Sequence, residues 1–135
     1  MQLYKKILVT IDCSSVDASI ISHVSALALQ NNAKVYLLHV VHSHTLDQHR
    51  VLAERAELCL ESYRIYLADK GIAAYKVIRD GEPDKQILDE IESNDYDLVA
   101  MATHGHTLIG DFLFGSVSKC LKHKIKIPLL LLKPD

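Results

Sequence analysis

Short apolar runs rich in β-branched residues alternate with stretches of helical spacing from one end of the chain to the other, and this alternation restricts the fold more than any other feature. Ile7-Leu8-Val9-Thr10-Ile11 is an unbroken block that stops at Asp12, the pattern of a strand buried on both faces. Ser14 or Ser15 is placed to cap a helix whose apolar residues Ile20, Ile21, Val24, Leu27 and Ala28 form one stripe, ended by Asn31 and Asn32. Val35 through Val41 reads as the second strand and His42 to His49 as a histidine-rich loop. Leu52, Ala56, Cys59, Leu60, Tyr63 and Leu67 then keep helical spacing until Gly71. A third strand, Tyr75 to Ile78, closes at Asp80-Gly81, and Pro83 opens a helix with Ile87, Leu88 and Ile91 inward. Asp97 to Ala102 is the fourth strand, Val117, Cys120 and Leu121 mark a fourth helix, and Pro128 to Leu132 is the last strand. The order βαβαβαβαβ implies an α/β fold: right-handed crossovers make an open parallel five-stranded sheet with helices on both faces, Rossmann-like in plan.

The 135 residues suit a single domain spanning 1–135, and 49% hydrophobic with 24% charged residues is the balance of a chain that folds alone. A net charge of −2 supplies no field to hold a nucleic-acid backbone. No apolar run approaches the roughly 20 residues that cross a bilayer, and the first residues lack the apolar core of a signal peptide. Three cysteines, Cys13, Cys59 and Cys120, widely spaced and without a CxxC, suggest neither a disulfide framework nor a four-thiolate zinc site. A reducing cytoplasm is therefore the expected compartment.

In such a sheet, ligands bind beyond the carboxyl ends of the strands where strand order reverses, so the loops after strands one, two and four matter most. Three of the five glycines, Gly105, Gly110 and Gly115, lie after strand four. Gly115-Ser116 stands near a helix start, where amides and the positive dipole end attract phosphate, and the Ser116 and Ser118 hydroxyls add donors. The same residues also fit a mobile glycine loop with a serine cap. No Walker A sequence exists in the chain.

The strand ending in Ile11-Asp12-Cys13-Ser14, the Leu38-His39-Val40 and Asp97-Leu98-Val99 strands and the run into Gly115-Ser116-Val117-Ser118 together resemble the universal stress protein family over essentially the whole chain. Nucleotide-binding members of that family carry G-x2-G-x9-G-[ST]. Gly105, Gly115 and Ser116 match its last three elements, and Ala102 stands where the first glycine would be. The resemblance implies an adenine nucleotide alpha hydrolase-like fold and an ATP or AMP ligand, with or without Mg2+. It implies that Asp12, with the Thr10 and Ile11 backbone, contacts the adenosine, that Val40 borders the adenine, and that Met101 and Ala102 lie near the sugar. Gly105, Gly115, Ser116, Val117 and Ser118 would cradle the phosphates. It further implies a homodimer paired through the C-terminal strand, although the apolar character of that strand also suits the middle of a sheet. An anionic Asp12 suits hydroxyls or amines better than phosphate, in agreement with a nucleoside-end role; capping the first helix is its plainer use.

Other chemistry is weaker. His42-x-His44 and His104-x-His106 have a spacing that metals use, but surface histidines are the commoner case and no metal is expected. His39, within an apolar strand, reads as a hydrogen-bonded core residue. Cys13 has no recognisable catalytic partner, and Cys59 and Cys120 fall on apolar helical faces as small core residues. No catalytic residues are assigned, so at most slow ATP hydrolysis is expected. The leading reading is a nucleotide-binding regulatory or stress-response module with no membrane or specific nucleic-acid partner; the alternative is a stress adaptor of the same fold that binds no nucleotide.

Overall fold

The computed structural model describes residues 2–103, 117 and 119–133. Its elements run β1 (Lys6–Thr10), α1 (Asp17–Asn31), β2 (Lys34–Val41), α2 (Leu46–Asp69), β3 (Ala74–Asp80), α3 (Pro83–Ser93), β4 (Leu98–Ala102) and β5 (Leu129–Leu132), with residues 119–124 helical before β5. All strand pairs are parallel, in the order β3-β2-β1-β4-β5. The sequence-derived architecture is thus the observed one.

Alternation along the central strands sends side chains to two cores. Ile7, Val9, Val35, Leu37, Leu98 and Ala100 pack with Ile20, Ile21 and Val24 of α1 and Leu60 and Leu67 of α2. Leu8, Leu38, Val99 and Met101 face the opposite way, against Ile87 and Ile91 of α3 and Val117 and Leu121. Ile7, Leu8 and Val9 are all fully buried, which is why β1 reads as a continuous apolar block. Chain direction and right-handed crossovers then put α1 and α2 on one face and α3 with the last helical turns on the other.

Several elements differ in their ends from the sequence reading. Helix α2 starts at Leu46, inside the expected histidine-rich loop, because Thr45 accepts a hydrogen bond from the Gln48 amide and Gln48 accepts one from the His44 amide. That is a variant of the capping box in which the glutamine takes the amide one residue before the cap, and its Thr-x-x-Gln signature is present in the sequence. Gly71, at φ +84, ends α2 as expected, with its amide donating to the Ala68 carbonyl. Pro83 occupies the first turn of α3. Arg79 of β3 fixes that helix through Gln86 and Glu90, each at 2.9 Å. The Tyr96 hydroxyl donates to the other Glu90 oxygen at 2.6 Å, and burial together with that bond pushes the tyrosine above its ordinary pKa.

Candidate functional site

Strand β1 lies between β2 and β4, where the chain stops adding strands on one side and begins adding them on the other. Beyond Thr10 the strand ladder continues for one more bond, from the Ile11 amide to the Leu38 carbonyl at 2.7 Å. Asp17, 1% exposed at the start of α1, then folds the chain back. Its two carboxylate oxygens accept the Asp12 amide at 3.0 Å and the Ser14 amide at 3.1 Å. Burial raises the Asp17 pKa, and the amide bonds oppose that shift. The expected Ser14 or Ser15 cap is therefore not formed. The residue preceding α1 is Val16, without a side-chain cap, and Ser14 contributes its carbonyl to the Asp17 amide instead. A carboxylate that holds two loop amides replaces a hydroxyl that could hold one.

This turn opens a small pocket. Thr10, Ile11 and Asp12 form one side, Leu38, His39 and Val40 a second, and Pro83 and Ile87 of α3 with Val117 close it. The His39 Nδ1 lies 2.7 Å from the Ile11 carbonyl, an oxygen that only accepts, so Nδ1 donates its proton there. His39 is hydrogen-bonded as expected, yet it stands half-buried at the pocket wall rather than inside the core. Thr10 is 5% exposed, and its Oγ1 is buried with no hydrogen-bond partner among the described residues. A buried hydroxyl left unpaired costs about 1–3 kcal/mol, so its place in a pocket wall bears on what that pocket receives.

Of the residues singled out in the sequence, Thr10, Ile11, Asp12, Val40 and Val117 come together around this pocket. Met101 and Ala102 end β4 but are not among the lining residues. Met101 is buried under α3, while Ala102 belongs to the core on the α1 face. Ala102 lies in extended strand without a positive φ, so alanine is unstrained there. Gly105, Gly110, Gly115, Ser116, Ser118, His104 and His106 lie outside the described residues. Leu38, His39, Pro83 and Ile87 were not anticipated as site residues; the topology that sets α3 across from the mouth of β1 is what recruits them.

The cysteine expectation needs correction. Cys13 and Cys59, 46 residues apart with Cα atoms 6.0 Å from each other, form a disulfide, and Cys120 keeps a free thiol. Cys59 does pack against the core as read, but α2 also brings it to the β1–α1 loop. Among the described residues, Cys13, Asp17 and Cys59 are the group that gathers three metal-capable atoms within 4.8 Å. Paired sulfurs are not thiolate ligands, and both Asp17 oxygens hold backbone amides. His42 stacks edge-on with His44 and meets the Gly81 carbonyl, and His49 pairs with Asp80 at 3.4 Å.

Comparison with known proteins agrees with this geometry. The family model described as the universal stress protein family matches residues 3–133. Universal stress protein MJ0577 of Methanocaldococcus jannaschii is 26% identical, over 97% of this chain and 96% of that protein. A solved structure of MJ0577 superposes with a TM-score of 0.83 at 28% identity, over 98% of both chains. Two further structures share the fold: a universal stress protein of Archaeoglobus fulgidus in complex with dAMP (19% identity, TM-score 0.74, 97% and 99% covered) and one from Arabidopsis thaliana with AMP bound (17%, 0.73, 97% and 92%).

Proposed function

The chain belongs to the universal stress protein family, and on that premise we propose that it is a cytoplasmic, single-domain regulatory module that binds an adenine nucleotide, ATP or AMP, and acts as a homodimer. The observation that carries the ligand reading is the buried Thr10 hydroxyl, unpaired among the described residues, in the wall of the pocket beside Asp12. A nucleoside suits this lining. Leu38, Val40, Ile87 and Val117 offer apolar surface to a base, while the Asp12 carboxylate and Thr10 hydroxyl meet ribose hydroxyls or exocyclic amines. The motif residues Gly105, Gly115, Ser116 and Ser118 would hold phosphates with their amides and hydroxyls, and Mg2+ would accompany a triphosphate. Relatives in complex with AMP and dAMP support the same ligand class.

Ligand-dependent stability tests this reading. A nucleotide that binds only the folded state adds about 2.7 kcal/mol at one hundred times Kd, which raises Tm by several degrees in a chain of this size. We expect such a rise with AMP or with ATP and Mg2+. The absence of tryptophan makes co-purified nucleotide visible as excess absorbance near 260 nm. No rise at millimolar AMP and ATP, together with no saturable binding in equilibrium dialysis, rejects the proposal.

A further inference from the structure

The Cys13–Cys59 pair stands one residue beyond a wall of the pocket. Cys13 follows Asp12 directly, and its Sγ is 3.9 Å from Nδ1 of His39, the ring that also grips the Ile11 carbonyl. Cys13 is a non-glycine residue at φ +61, a left-handed conformation that a β-carbon disfavours and that persists only where the surroundings impose it. Two restraints impose it here: the Asp17 carboxylate, which holds the amides of residues 12 and 14, and the sulfur bond to α2. Residues 13 to 15 are exposed and Cys59 is half-buried, so small molecules reach the pair from the Cys13 side.

We propose that Cys13 and Cys59 form a reversible oxidation site that takes a low-molecular-weight disulfide as its oxidant and, when closed, clamps the Asp12 loop in its ligand-binding position. The ligand part rests on the adenine-nucleotide reading above. The Cys13 thiolate attacks one sulfur of the small disulfide and releases a thiolate, giving a mixed disulfide. The Cys59 thiolate then attacks the Cys13 sulfur and releases the second. Two protein thiols lose two electrons and two protons, and the oxidant leaves as two thiols. In the open dithiol state one of the two restraints on Cys13 is gone and the loop bearing Asp12 relaxes. By linkage, a ligand that prefers the clamped loop favours disulfide formation by the same factor.

Three measurements on the intact protein decide this. Equilibration with reduced and oxidised glutathione, followed by maleimide mass labelling, is expected to convert a three-label species to a one-label species reversibly. Hydrogen exchange at the amides of Asp12 and Ser14 is expected to be about five-fold or more slower in the oxidised form, and AMP to bind tighter there by a similar factor. Cys59→Ala should behave as the reduced protein under both conditions; should it fail to fold, the wild type with and without dithiothreitol gives the same comparison. Failure to form the one-label species, equal exchange in the two states, or AMP affinity independent of redox state each overturns the clamp. If AMP binds neither state the ligand reading falls, and the exchange comparison alone then decides whether the pair holds the loop.

Discussion

At the scale of single residues, Thr10 makes the sharpest claim. A hydroxyl that is buried and unpaired among the described residues, yet useful to a ligand, predicts opposite signs for two measurements on one variant. Thr10→Val keeps the branched shape and removes the unpaired group, so the ligand-free Tm should hold or rise, while AMP affinity should fall by about 1 kcal/mol, roughly five-fold. Unchanged affinity in calorimetric titration would mean that the hydroxyl does not face the nucleotide. Ala102 makes a complementary claim. Its methyl sits in the core on the α1 face, whereas the pocket faces α3, so Ala102→Gly should leave AMP affinity unchanged and cost about 0.5–1 kcal/mol of folding stability. Tighter binding by that variant would show that the methyl obstructs the site after all. That Asp12 and Val40 line the pocket was legible because a strand end and a recognisable segment carry them. The Cys13–Cys59 bond was not, since 46 residues separate the partners and only the seating of α2 joins them.

At the scale of elements, the central strands β1, β2 and β4 were the most legible because each carries a largely buried apolar run, whereas α2 was read six residues short. Its buried stripe of Ala56, Leu60 and Leu67 is periodic, but its first turns are mostly solvent-facing and carry no apolar period to detect. The Thr45 cap marks the true start, and only local hydrogen-bond chemistry reveals it. Once formed, α2 is tied to β3 by charge: Lys76 reaches Glu57 at 2.8 Å and Glu61 at 3.0 Å, and Arg64 pairs with Glu61. Hydrogen bonds from Arg64 and then Lys76 lower the Glu61 pKa from 4.5 to about 2. The folded value lies below the unfolded one, so this contribution is complete above pH 4.5 and is lost as pH falls toward 2. Urea unfolding of Glu61→Gln should therefore lose less stability than the wild type across that acid window, and the difference should shrink in high salt because these side chains are partly exposed. Parallel acid limbs for the two proteins would show that the charge cluster does not couple to folding.

At the scale of the whole molecule, the two edges of the sheet are unlike, and the difference says where a second copy would add. Strand β3 ends the sheet on one side with Lys76, Arg79 and Asp80 among its residues and with Tyr75 stacked on Tyr36. Charged side chains of this kind discourage edge pairing. Among the described strands, β5 ends the other side as four consecutive leucines, at an edge and not in the middle of the sheet. Leu130 and Leu132 pack on one core and Leu129 on the other, while Leu131 is 45% exposed. An apolar edge without a charge offers unpaired amides and carbonyls to any chain, and pairing with its own symmetry mate about a two-fold axis satisfies both copies with one antiparallel contact. Because Leu131 is the leucine of β5 least used by the core, Leu131→Asp places a charge at that contact at little cost to the fold. Sedimentation should show a dimer for the intact protein at micromolar concentration and a folded monomer for the variant. An intact protein already monomeric under those conditions refutes the dimer, and a variant that stays dimeric moves the interface away from β5.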